Sequence, residues 1–136
     1  MADGPALALQ ASLVAALKAD AGVAALVADR VYDEPPQAVV FPYVRIGEII
    51  ARQADTDKTY GFEIAFGIEA YSRPNSGRVE VARIAAAVQA ALHDKTLTVT
   101  GYNNAWTFFE TMSASRGSDG REYSSVVAFT AQIDAA

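Results

Sequence analysis

Between positions 61 and 71 the sequence alternates. Phe62, Ile64, Phe66, Ile68 and Ala70 occupy every second position, and Glu63, Ala65, Gly67, Glu69 and Tyr71 lie between them. A strand turns successive side chains to opposite faces, so the run predicts a strand with one continuous apolar face and one mixed face. An apolar sheet face must be covered, which calls for further strands and a second layer. On the mixed face, Ala65 and Gly67 are small enough to let another element pack closely.

The remaining segments supply both layers. Leu9, Leu13, Ala16 and Leu17 recur at helical spacing over residues 5–19, with Pro5 suited to a first helical turn. Residues 20–22 stop that helix, and residues 23–27 form a short second one. Val31 and Tyr32 suit a brief strand before the stiff Pro35-Pro36 pair. Residues 43–50 read as a strand with Val44, Ile46, Glu48 and Ile50 on one face and Tyr43, Arg45 and Ile49 on the other. Residues 51–59 are polar and read as a hairpin tip. A helix over residues 76–93 carries an apolar stripe of Val81, Ile84, Ala85, Val88 and Leu92, with Arg78, Glu80 and Arg83 on its wet side. Residues 96–100 form a short strand. A last hairpin spans residues 105–116 and 122–133 around Gly117-Ser118-Asp119-Gly120. Trp106, Phe108, Met112 and Ala114 share a face of its first arm, and Tyr123, Val127, Phe129, Ala131 and Ile133 share one of its second. The order predicts an α+β fold: one domain over residues 1–136, a mostly antiparallel sheet packed with two main helices.

Composition removes whole classes of chemistry. The chain has no cysteine, so disulfides, thiolate metal sites and cysteine nucleophiles are excluded. Its formal charge of −5 makes tight, sequence-independent DNA binding unfavourable. The apolar run at residues 5–27 is interrupted by Gln10, Ser12, Lys18, Asp20 and Gly22 and falls short of the ~20 apolar residues of a membrane span. Asp3 stands where a signal peptide would be basic, so the expectation is a protein made and assembled in the cytoplasm, with no membrane partner.

Candidate sites for catalysis dissolve on inspection. His93 and Asp94 are adjacent at a helix end and do not face each other as a base and its orienting carboxylate would; a polar helix terminus accounts for His93. Asp55 and Asp57 lack the glycine and terminal glutamate of a calcium loop. Asp33-Glu34 beside two prolines reads as exposed or as an intersubunit ion pair. No glycine pattern opens a helix as a phosphate cradle does. Phe108, Phe109, Tyr123 and Phe129 lack the interleaved basic residues of an RNA-binding sheet, and packing against the helices explains them better. No catalytic, cofactor or metal residue is expected.

What the residues do offer is contact surface. Glu63, Glu69 and Tyr71 lie on the mixed strand face. The irregular segment 33–41 carries Asp33, Glu34, Pro35, Pro36 and the apolar Val39, Val40 and Phe41, followed by Tyr43; Asp55 and Asp57 lie in the next loop. Either this segment folds back on its own core, or these residues meet a neighbour through apolar anchors and a polar rim.

In order along the chain come Val23-Ala24-Ala25-Leu26-Val27, Asp29-Arg30-Val31-Tyr32, Pro35-Pro36-Gln37 and Phe41-Pro42-Tyr43-Val44-Arg45-Ile46-Gly47. Glu69-Ala70-Tyr71-Ser72-Arg73, Gly77-Arg78 and the Asp119-Gly120 hairpin follow. This order and spacing resembles the tail-completion, or tail-terminator, family of long-tailed phages and gene transfer agents across nearly the whole chain. Tyr71 stands where the family more often has tryptophan, a similar large amphipathic ring. The resemblance implies a homo-oligomeric ring, hexameric in the family, seated on the tail tube protein. It ends tube growth and meets the neck, stopper or adaptor proteins, with DNA passing through and no cofactor. That places the chain in a virion or transfer-agent particle at the tail–neck junction. The ring patches are then expected at exposed sheet edges and in segments 33–41 and 51–59. Another neck or tube ring protein is the alternative, although the tight hairpins argue against a tube subunit; a small ligand-binding domain would need a polar pocket that no residues here suggest.

Overall fold

The alternating strand lies near the middle of the sheet, and its apolar face is where the helices gather. The structure is a computed structural model describing residues 4–55, 60–73, 77–117 and 120–135. Along the chain, helices α1 (Pro5–Ala19) and α2 (Ala21–Val27) precede strands β1 (Val31–Tyr32), β2 (Tyr43–Gln53) and β3 (Gly61–Ser72), and helix α3 (Gly77–Leu92) precedes strands β4 (Lys95–Leu97), β5 (Tyr102–Arg116) and β6 (Tyr123–Ala135). The six-stranded sheet has the order β1-β2-β3-β6-β5-β4, parallel at the β1–β2 pair and antiparallel elsewhere. The α+β expectation holds.

Leu9, Leu13 and Leu17 of α1, Val23 and Val27 of α2, and Ile84, Val88 and Leu92 of α3 meet Ile64, Ile68, Val127, Phe129 and Ile133 in one core. Asp20 divides the first two helices: it ends α1, and its side chain accepts a hydrogen bond from the Val23 N–H at 3.0 Å to cap α2. The two helices meet at a 79° bend, and no single helix is long and apolar enough to cross a membrane. In the last hairpin Gly120 takes φ +69°, a conformation glycine adopts without strain.

Several expectations change. First, β2 continues to Gln53 instead of yielding to a loop at Ala51, because its last residues pair with Phe62, Glu63 and Ile64. Second, a bulge between Ile46 and Ile49 resets the alternation in β2. Ile49 therefore packs on the core with Val44 and Ile46, and Ile50 is 56% exposed on the opposite face. Third, β5 carries a bulge between Phe109 and Thr111, so Trp106 and Phe108 do not share a face with Met112 and Ala114. Trp106 and Phe108 pair with Gln132 and Thr130 on the face away from the helices; Phe109 pairs with the buried Phe129. The helix-packing explanation thus fails for Phe108. The short strand is Lys95–Leu97 in place of 96–100, and β5 begins at Tyr102.

Polar anchors fasten α3 at both ends. Glu80 does not lie free on a wet side: it accepts a hydrogen bond from the buried Ser72 hydroxyl at 2.5 Å. Ser125, also buried, donates to the Val81 carbonyl at 3.0 Å. At the other end the Thr107 hydroxyl donates to the Leu92 carbonyl.

Candidate functional site: the open face of the sheet

All three helices cover one face of the sheet, and among the described residues no helix covers the other. Two bulges shape that open face. Along one cross-strand row, Gly47 and Glu48 of β2 lie opposite Gly67 of β3; Gly67 pairs with Ala128 of β6, which pairs with Thr111 beside the bulged Glu110 of β5. The extra residue in each bulge re-aims a side chain. The result is a hollow of about 290 Å³ floored by Ala65, Gly67, Ala128 and Thr130, with Ile50, Glu48 and Glu110 along its lining. Trp106 and Phe108, with ring centroids 4.2 Å apart, extend the apolar surface on the β5 side. Ile50, Trp106 and Val126 are all exposed on it.

One end of the open face is closed by the protein itself. Tyr43, only 9% exposed, stacks on Tyr71 with centroids 5.1 Å apart, and Tyr32 and Phe41 pack against Tyr43. Arg73 lies 4.1 Å over the Phe41 ring. Beside this aromatic group, Arg45 donates to Glu69 at 2.5 Å and to the Tyr71 hydroxyl at 3.1 Å, and Tyr71 donates to the same Glu69 oxygen at 2.6 Å. Burial, then the Glu69 hydrogen bond, pushes the Tyr71 phenol well above its usual range. The Glu69 hydrogen bond likewise raises Arg45. Burial, then the charge of Glu122, raises Tyr43.

The residues singled out in the sequence fall into separate places. Phe41, Tyr43, Glu69 and Tyr71 come together in the aromatic and ionic group just described, where Tyr43 is buried within its own chain. Asp33, Glu34, Pro36 and Val40 are exposed on the connecting loop, with Pro35 and Val39 half-buried. Asp55 accepts hydrogen bonds from the Gln53 side chain and the Gly61 N–H, at 2.6 and 3.2 Å, and so closes the β2–β3 hairpin. Glu63 pairs with Arg52 at 3.1 Å. Asp57 lies outside the described residues, as do Ser118 and Asp119 of the last turn. Glu48, Ile50, Trp106, Phe108 and Glu110 were not among the sequence candidates. The one sequence signal for their face was the small pair Ala65 and Gly67.

Among the described residues no groups are arranged for turnover. His93 Nδ1 accepts the Phe109 N–H at 3.0 Å and Asp94 accepts the Trp106 indole N–H at 2.9 Å, so each ties the end of α3 to β5. Among the described residues no three histidines or acids converge on a metal position. A second hollow, of about 300 Å³ between α1 and β4, is lined by Ser12, Ala15, Ala16, Thr96, Leu97 and Thr98, without a titratable group.

The family model for tail completion protein gp17 matches residues 11–134. A chain from the virion of a native gene transfer agent (GTA) particle superimposes with a TM-score of 0.83 at 29% identity, covering 98% of this chain and 99% of that one. A second solved structure, 13% identical over 96% of each chain with a TM-score of 0.61, shares the fold. No curated protein matches. The chain therefore belongs to the tail completion protein gp17 family, and its role is structural and not enzymatic.

Proposed function

We propose that the chain is a tail terminator: a subunit of a homo-oligomeric ring, most simply a hexamer, at the junction of tail and neck. The observation that carries this reading is the end-to-end likeness to a chain of a gene transfer agent virion, at 29% identity and a TM-score of 0.83. The ring caps the tail tube, ends its polymerisation and presents its other side to a neck or stopper protein. DNA passes through the opening without being held, for which the net charge of −5 is suited. Such a ring is heterologous: each subunit offers two different patches that fit one another and close by rotation. The exposed acids Asp33 and Glu34, with Val40 beside them on the loop, are proposed contacts to the tube or neck.

Deleting the chain from the producing cell and imaging the particles by electron microscopy tests the proposal. Tubes of irregular, excessive length lacking attached heads, corrected when the chain is supplied again, are the expected result. Tails of normal length joined to heads in its absence would overturn it.

A further inference from the structure

We infer that neighbouring ring subunits join face to face, the outward stripe of α3 from one copy seated in the open sheet face of the next. The inference rests on the ring reading above and specifies which two patches meet. Val79, Arg83, Ala86 and Ala90 follow one another at helical spacing and are all exposed, so they form one stripe, about 16 Å long, pointing away from the core. Val79 is 60% exposed although it is a valine in the first turns of a well-packed helix. The small side chains of Ala86 and Ala90 allow a close approach, and the floor of the sheet hollow is equally small.

Charge selects the occupant. Glu48 and Glu110 stand beside an apolar floor, and among the described residues neither has an ionic or hydrogen-bond partner. Arg83 is the cation at the centre of the α3 stripe. Its nearest acidic neighbour on the helix, Glu80, is engaged by Ser72, so Arg83 has no partner among the described residues either. A cation set among small apolar side chains thus matches carboxylates set beside a small apolar floor.

Topology makes the contact head-to-tail. The open sheet face and the outer stripe of α3 lie on opposite sides of one subunit, with the sheet and the inner side of α3 between them. A patch on one side that fits the patch on the other propagates from copy to copy and closes if each step includes a rotation. The free edge of β5, by contrast, exposes Ser113, Ser115 and Arg116 beside one large apolar side chain, Met112, and the end of β2 exposes Arg52 and Gln53. Those edges offer less apolar surface to bury than the open face, where Ile50, Trp106 and Val126 are exposed together.

Because the chain has no cysteine, introduced thiols are unique. Particles are assembled with Ala65→Cys combined with Ala86→Cys or with Ala90→Cys, then oxidised. The expected product is a ladder of linked subunits ending at the ring size, absent from each single variant. Subunits present in the particle, with reactive thiols but no ladder from either pair, would overturn the face assignment while leaving the ring intact. One copy per particle by quantitative electrophoresis would instead overturn the ring. As a second measurement free of thiols, Arg83→Glu should lower incorporation at least tenfold, and adding Glu110→Arg should restore it; normal incorporation of Arg83→Glu also sinks the inference.

Discussion

Glu69 shows how a single side chain organises the closed end of the sheet. It holds both Arg45 and Tyr71, and its other carboxylate oxygen leaves no space at Gly47, where an added Cβ would lie 2.6 Å away. Gly47→Ala should therefore displace Glu69 and cost about 1 kcal/mol, a modest figure because Arg45 is part-exposed; urea unfolding measures it. Tyr71 gives a pH test with a definite sign. In the folded chain its phenol keeps its proton above the ordinary tyrosine range, whereas the unfolded chain releases it near pH 10. Above that pH the folded state binds more protons, so its stability falls as pH rises. The melting temperature should drop more steeply above about pH 10 in the wild type than in Tyr71→Phe. Parallel curves would mean that Tyr71 does not control the alkaline limb.

At the scale of elements, α3 is the member that links core to surface. Its inner stripe fills the core while Ser72, Ser125 and Thr107 fix its height on the sheet. Ile84→Ala should cost about 2–5 kcal/mol by leaving a cavity. Thr107→Val keeps the volume but leaves the Leu92 carbonyl without its donor, for an expected loss of about 1–2 kcal/mol. Chemical denaturation of both variants checks the order; an unaffected Thr107→Val would show that the C-terminal anchor is dispensable. The bulges in β2 and β5 are the complementary devices on the other layer. Each adds one residue, and together they turn Ile50 outward, Ile49 inward, and Glu48 and Glu110 toward the same hollow.

For the whole molecule, folding and assembly should separate cleanly. Ile50 and Val79 are largely exposed, so Ile50→Asp or Val79→Asp should change the unfolding free energy measured in urea by no more than about 0.5 kcal/mol. Both should nonetheless prevent normal incorporation into particles, since each puts a carboxylate into an apolar contact. Normal incorporation of either would remove its patch from the interface. The protomer thus has two cores: one complete within the subunit, under the helices, and one that in the proposed ring is completed by a neighbour.

The sequence by itself determined the helices, the central strand and the inner residues of α3, because their periodicity is local and repeats without interruption. Phe62 to Ala70 and Val81 to Leu92 could be assigned to a face from spacing alone. The family order of motifs was legible for the same reason, since it is linear. Residues next to the bulges could not be assigned: one inserted residue inverts every later side chain, and only the partner strand shows where the insertion falls. That is why Ile49, Ile50, Trp106 and Phe108 changed faces. The open face itself was visible only as the small pair Ala65 and Gly67. Tertiary structure decided the rest, because a row running Glu48, Gly67, Ala128 and Glu110 crosses four strands that no stretch of sequence brings together.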